Sequence, residues 1–302
     1  MSHVAPAVGA VTPDDVAQLV RTRVAQPSRI AELMAGRSAP PDLVGQTGRL
    51  MLVAADHPAR GVLRAGSDPI AMGDRAGLLS RLVRALARPG VDGVLGTADI
   101  VEDLLLLGAL DDKVVIGSMN RGGLAGTVFE LDDRFTGYDA RGIAEAGYQG
   151  GKMLLRIDPQ DHATVSTLTA CARAVDDLAS AGLMAMVEPF LSGRDAVGRV
   201  HNDLSVEAVV RSISVASGLG RTSAHTWLKL PVIDDMEPVL DSTTLPVLLL
   251  GGEVAEDQQA QLAAWGKALS NPVVRGMVVG RSLLFPPDGD VERAVDATVE
   301  LM

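Results

Sequence analysis

Leu50-Met51-Leu52-Val53-Ala54-Ala55-Asp56-His57-Pro58 is the stretch on which the architecture of this chain turns. Its first six residues form an unbroken apolar run of strand length, the pattern of a strand buried on both faces in a parallel sheet. A doubly wound open sheet usually places a glycine-rich turn after its first strand. Here the strand ends in Asp56, His57 and Pro58 instead. Reading outward for apolar runs closed by Gly, Pro, Asn or Asp gives seven more strands: Val91–Gly96, Val114–Met119, Gly151–Ile157, Met184–Phe190, Thr226–Val232, Val247–Gly251 and Met277–Arg281. Segments of helical period separate them: Arg75–Arg88, Ile100–Leu107, Ala163–Ala181, Val206–Ser217, Glu256–Ser270 and Val291–Leu301, with weaker pieces at Ala140–Ala146 and Asp234–Leu240. Eight strands alternating with helices imply parallel pairing through right-handed crossovers, and eight such units close a barrel. The expected fold class is therefore α/β, a (β/α)8 TIM barrel over residues 46–302.

Residues 1–45 are read as an N-terminal helical extension. Thr12 is placed to cap a helix over Pro13–Ala25, whose first turn carries acidic residues, and a second helical piece covers Ile30–Ala35. The extension is expected to plug the barrel bottom or to make an oligomer contact, and the chain is expected to be a homo-oligomer. A further segment, Asn120–Tyr138, reads as a loop after the third strand, which places it on the catalytic face of a barrel.

Composition removes several function classes. A net charge of −11 and no basic block argue against nucleic acid as a partner. No stretch reaches the roughly 18 uninterrupted apolar residues of a membrane span, and the N-terminus lacks a basic segment followed by an apolar one, so no membrane association and a cytoplasmic location are expected. A single cysteine, Cys171, excludes a disulfide framework. His3, His57, His162, His201 and His225 lie in no ligand spacing, and neither a metal nor another cofactor is expected.

Lysine is the informative residue. Of the 27 basic residues only Lys113, Lys152, Lys229 and Lys267 are lysines, and two of these interrupt predicted strands. Lys229 sits in Thr226-Trp227-Leu228-Lys229-Leu230-Pro231-Val232, where apolar neighbours would desolvate an ammonium and favour the unprotonated amine that attacks carbonyls. The bland reading is a lysine paired with a carboxylate or reaching out from the strand end. Strand alternation puts Lys152, Leu154 and Arg156 on one face, so Lys152 meets Lys229 if that face is the interior; a buried ion pair with Asp56 or Glu188 is the bland reading there. Glu188 interrupts Met184-Ala185-Met186-Val187 and suits proton transfer, as does Asp56 at the end of the first strand, where helix capping is the alternative. His57 reads as a turn residue. Gly251-Gly252 and Gly280-Arg281 end the last two strands, where barrels often hold phosphate on backbone N–H groups.

In this order, Ala55-Asp56, Gly151-Lys152-Met153-Leu154-Leu155 with Asp158-Pro159, Val187-Glu188-Pro189, Leu228-Lys229-Leu230-Pro231, Gly251-Gly252 and Gly280-Arg281, the chain resembles the class I, Schiff-base aldolase superfamily over roughly Leu50 to Phe285. That superfamily includes deoxyribose-phosphate aldolase, archaeal-type fructose-bisphosphate aldolase, and tagatose-bisphosphate and sulfofructose-phosphate aldolases. The resemblance implies that Lys229 is the Schiff-base lysine, Lys152 the second active-site lysine, Glu188 the proton shuttle, and Asp56 a substrate-hydroxyl or proton-transfer partner. It implies a lyase acting on a sugar phosphate, releasing dihydroxyacetone phosphate and an aldehyde, with Asp56 or Glu188 taking the hydroxyl proton. The tyrosines of some relatives near the fourth strand are replaced by Leu155-Arg156-Ile157, and the loop from Arg121 to Tyr138 departs from the sugar-bisphosphate enzymes. Arg121 and Arg156 are placed to hold a carboxylate, which favours a keto-sugar acid such as 5-dehydro-2-deoxygluconate 6-phosphate of inositol catabolism. The alternatives are a metal-dependent barrel lyase or isomerase, and a non-catalytic sugar-phosphate-binding regulator.

Overall fold

The computed structural model describes residues 9–45 and 47–302. Residues 1–8 of the extension, His3 among them, and Gln46 lie outside the described residues.

Among the described residues nine strands form: β1 (Leu50–Ala54), β2 (Gly93–Gly96), β3 (Val114–Ser118), β4 (Gly150–Ile157), β5 (Met184–Arg194), β6 (Val200–Asp203), β7 (Thr226–Leu230), β8 (Val247–Leu250) and β9 (Val274–Val279). All except β6 pair in parallel in the order β4-β3-β2-β1-β9-β8-β7-β5, and β4 pairs with β5 to close the ring. The expected (β/α)8 barrel is therefore what the chain adopts. The helices are α1 (Pro13–Ala25), α2 (Ser28–Gly36), α3 (Arg75–Leu86), α4 (Ala98–Leu106), α5 (Ala140–Glu145), α6 (Ala163–Ser180), α7 (Val206–Ser217), α8 (Glu237–Asp241), α9 (Gln258–Leu269), α10 (Arg281–Leu284) and α11 (Val291–Val299). None of the described helices is long and apolar enough to cross a membrane.

The two-residue period of the strands sorts the apolar residues into two cores. Met51, Val53, Met153, Leu155, Val187, Leu228 and Leu230 point outward into the layer beneath the helices, where α3 contributes Leu78, Leu79, Leu82, Val83 and Leu86. Leu50, Leu52, Leu95, Val114, Ile116, Met184, Met186, Leu248 and Val278 fill the interior. Leu43 and Val44 pack against that inner cluster, whose Leu50, Val114 and Met184 are first residues of their strands, so the segment before β1 plugs the floor. Arg37 fixes this crossing by donating to the backbone oxygens of Leu110, Lys113 and Gly147. α1 begins with the expected cap: Thr12 Oγ1 accepts from the Asp15 N–H, and the Asp15 carboxylate accepts from the Thr12 N–H.

Two features differ from the sequence expectation. The fifth strand does not end at Phe190: β5 continues to Arg194 and turns back as antiparallel β6, forming a hairpin above the barrel rim. The eighth barrel strand occupies Val274–Val279, and Arg281 lies in α10 rather than at the strand end.

Candidate active site

A cavity of about 590 Å³ opens where the barrel strands end. Its wall includes all four residues expected to carry chemistry, Asp56, Lys152, Glu188 and Lys229. The ladder explains why they meet. Strand pairing sets Ser118 beside Lys152, Leu154 beside Glu188, and Val187 beside Leu228, so Glu188 and Lys229 stand level with Lys152 one inward position below. Each is at least nine-tenths buried.

The result is a row of alternating charges. Arg121 Nη1 lies 2.7 Å from Asp56 Oδ2, and Lys152 Nζ lies 3.2 Å from the same oxygen. Lys152 also pairs with Glu188 Oε2, while Glu188 Oε1 lies 2.7 Å from Lys229 Nζ. Ser118 Oγ donates to Asp56 Oδ2 over 3.3 Å. Burial opposes the negative charge of Glu188, but Lys152 and Lys229 outweigh it and hold its carboxyl at about 2. Burial likewise works against Asp56, and Lys152, Arg121, His57 and Lys229 hold it well below the ordinary carboxylate range. Burial pushes Lys152 down, with Lys229 and Arg121 adding to the effect against the pull of Asp56 and Glu188. Buried ion pairs contribute little net stability compared with well-packed apolar side chains. An array of this kind is a common mark of a site that moves protons.

Lys229 is therefore surrounded differently from what its sequence neighbours suggest. Leu228 and Leu230 belong to the outer core, on the opposite face of β7, and the amine meets Glu188. For Lys152 the alternative of an ion pair with Asp56 or Glu188 is what is seen, and with both at once.

The expected anion-binding residues divide into two groups. Gly251, Gly252, Gly280 and Arg281 line one side of the cavity. Added Cβ atoms at Gly251 and Gly280 would lie 2.3 Å from Val279 Cγ1 and 2.7 Å from the Ala54 oxygen, so strand packing already requires these two glycines. Gly252 differs, with φ at +68° and, among the described residues, nothing within 4 Å of an added Cβ. Arg281 is 11% exposed, and its ion partner Glu253, at 3.2 Å, is 80% exposed.

Arg121 and Arg156 stand elsewhere and already hold carboxylates of the chain: Arg121 that of Asp56, and Arg156 that of Glu130 at 2.5 Å. Arg60, Glu130 and Asp133 were not foreseen. Arg60 pairs with Asp133 and donates to the Asn120 and Gly123 oxygens, which anchors the loop between β3 and α5 over the cavity. That loop also doubles back on itself, with Asn120 bridged to Phe135. The β5–β6 hairpin adds Asn202, and Leu204 follows it on the wall.

In a chain of net charge −11, six of the 27 basic residues line this one cavity: Arg60, Arg121, Lys152, Arg156, Lys229 and Arg281. Such a concentration suits a small anionic ligand. Among the described residues no group of three or more His, Cys, Asp or Glu side chains is arranged to hold a metal ion.

Comparison with known proteins places the chain in a family. The crystal structure of Cgl0159 from Corynebacterium glutamicum is 50% identical in sequence and superposes with a TM-score of 0.94, covering 97% of this chain and 98% of that one. A Schiff base-forming fructose-1,6-bisphosphate aldolase superposes at 0.64 with 18% identity, covering 86% of this chain and 96% of that one. An archaeal fructose 1,6-bisphosphate aldolase superposes at 0.63 with 20% identity, over 86% and 95%. At such identities the likeness is one of fold. No curated protein matches the sequence. A family model described as Cgl0159-like matches residues 48–299, the whole barrel, and the chain belongs to that family.

Proposed function

We propose that this protein is a class I aldolase that cleaves a phosphorylated ketose, or a keto-sugar acid, to dihydroxyacetone phosphate and an aldehyde through an imine on Lys229. The observation that carries the reading is the row Asp56–Lys152–Glu188–Lys229 in the cavity where the barrel strands end. Lys229 Nζ attacks the ketose carbonyl, and the carbinolamine loses water to give the iminium. Both steps move protons at the amine and at the leaving hydroxyl. Glu188 touches Lys229 on one oxygen and Lys152 on the other, so it passes a proton between the two amines. Lys152, pushed down by burial, returns a proton more readily than an exposed lysine. Asp56, held by Arg121, orients Lys152 from its other side.

The phosphate is assigned to Gly251, Gly252, Gly280 and Arg281, where Gly252 leaves its backbone open and Arg281 needs only to release the exposed Glu253. At the other group of arginines, a substrate carboxylate enters by taking the place of Glu130 on Arg156. This favours a keto-sugar acid such as 5-dehydro-2-deoxygluconate 6-phosphate.

Borohydride reduction in the presence of dihydroxyacetone phosphate, followed by peptide mass spectrometry, tests the mechanism. An adduct is expected on Lys229 in the parent protein, with none in Lys229→Met, and its yield is expected to be unchanged by EDTA. Absence of the adduct from the parent refutes the imine, and loss of activity in EDTA favours a metal-dependent lyase or isomerase.

A further inference from the structure

The cleavage step needs a group that accepts a proton, and the two carboxylates in the row are poorly suited to it. Both oxygens of Glu188 are taken up by the Lys152 and Lys229 amines, between which it relays protons, and its carboxyl is held at about 2. Asp56 Oδ2 takes Arg121, Lys152 and Ser118. A carboxylate so engaged is a weak base at neutral pH.

His57 is placed differently. It follows Asp56 directly and precedes the single turn Pro58–Arg60, whose Arg60 N–H donates to its backbone oxygen over 3.0 Å. This turn directs the imidazole into the cavity wall, where 28% of its side chain stays exposed. Its Nδ1 is buried, has no hydrogen-bond partner among the described residues, and lies 3.6 Å from Asp56 Oδ1. An ionised carboxylate only accepts, so Asp56 favours the tautomer with the proton on Nδ1. Nε2 then carries the lone pair, and among the described residues nothing bonds to it.

We propose that His57 is the proton acceptor of the carbon–carbon step, taking the substrate hydroxyl proton on Nε2 and returning it to the enamine carbon. The inference rests on the imine reading above. As the bond breaks, the O–H electrons form the aldehyde carbonyl, the carbon–carbon pair becomes the enamine double bond, and the iminium nitrogen takes up its π electrons. The proton on Nε2 then moves to the enamine carbon. This restores the neutral imidazole and the iminium of dihydroxyacetone phosphate, which water releases from Lys229.

The charged groups facing the imidazole are Asp56 from the end of β1, Arg281 from α10, Lys229 from β7 and Lys152 from β4. Burial, with Arg281, Lys229 and Lys152, pushes His57 down to about 4 against the pull of Asp56. A phosphate bound at Arg281 offsets one of those cations and brings the imidazole back toward its ordinary value, so the base strengthens when substrate is present.

Dihydroxyacetone phosphate alone tests the proposal, because reversible proton loss from the iminium exchanges its C3 hydrogen with solvent. The full-length protein is incubated with it in D2O, exchange is followed by NMR, and borohydride trapping is run in parallel. His57→Gln and His57→Asn should lose about 10²–10⁴-fold in exchange while trapping on Lys229 at the parent yield, which also reports an intact fold. Exchange by the parent should fall on acidification as the imidazole protonates, and the residual exchange of the variants should lack that dependence. Parent-like exchange in both variants, or trapping without exchange in the parent, overturns the assignment to His57. Absence of trapping in the parent instead overturns the imine reading on which it rests.

Discussion

Replacing Glu188 with glutamine probes more of this site than any other single change. Glu188 is the carboxylate that touches both buried amines, Lys229 at 2.7 Å through Oε1 and Lys152 through Oε2. Its carboxyl is lowered from 4.5 to about 2, with burial opposing the ionised form and the two lysines prevailing. That difference corresponds to on the order of 3 kcal/mol of preference for the charged form in the folded protein. Because the folded value lies below the unfolded one, the contribution is fully present above pH 4.5 and is lost as the pH falls through about 2. By pH 3 the same linkage removes about 2 kcal/mol of it.

The glutamine keeps the shape and an acceptor but loses the charge. Among the described residues Lys229 is then left without a carboxylate and Lys152 with Asp56 alone. Removing one member of a buried pair costs about 3–5 kcal/mol. Urea denaturation followed by circular dichroism at pH 7 should show this loss, and the gap between parent and variant should narrow by about 2 kcal/mol at pH 3. Turnover should fall about 10²–10⁴-fold. A variant within about 1 kcal/mol of the parent at pH 7, with the same acid dependence, would refute the placement of this charge between two lysines.

Two further substitutions examine the opposite wall. Arg281→Ala removes the charge-assisted contact proposed for the substrate phosphate, worth about 1.5–3 kcal/mol, so KM for a phosphorylated ketose should rise about 10–100-fold in steady-state assays while borohydride still traps Lys229 at saturating substrate. Gly280→Ala places a Cβ 2.7 Å from the Ala54 oxygen, a backbone atom that cannot swing aside. It should destabilise the barrel by about 1–3 kcal/mol in thermal or urea unfolding, and a neutral result would mean that β1 and the start of α10 are less tightly packed than described.

The barrel could be read from the chain because parallel strands buried on both faces announce themselves as aliphatic runs, and a one-dimensional pattern suffices to count them. The four polar interruptions could be read for the same reason: a lysine or glutamate inside such a run has little to do unless a partner waits across the ring. What surrounds them could not. Leu228 and Leu230 flank Lys229 in sequence but point away from it, and the neighbour that matters, Glu188, is supplied by strand register. Arg60, Glu130 and Asp133 sit in segments without period, and they meet only because the loop after β3 folds back through the Asn120–Phe135 bridge. The β5–β6 hairpin is not legible in the sequence because Ser192, Gly193 and Arg194 break the apolar pattern just where the strand leaves the core. His57 reads as a turn residue and is one; the role proposed for it depends on which way that turn faces.

The hairpin has a bearing on how the family diversifies. β5 is eleven residues long, and its register with β4 runs from Met184 to Leu191, so the antiparallel half is no part of ring closure. Insertions or exchanges between Ser192 and Asp203 change the shape and polarity of the entrance without disturbing the pairing that sets Glu188 against its lysines. Sequence change can therefore reshape what enters the cavity while the row of buried charges stays in place, and members of the family that differ in ligand should differ first in the length and composition of this rim.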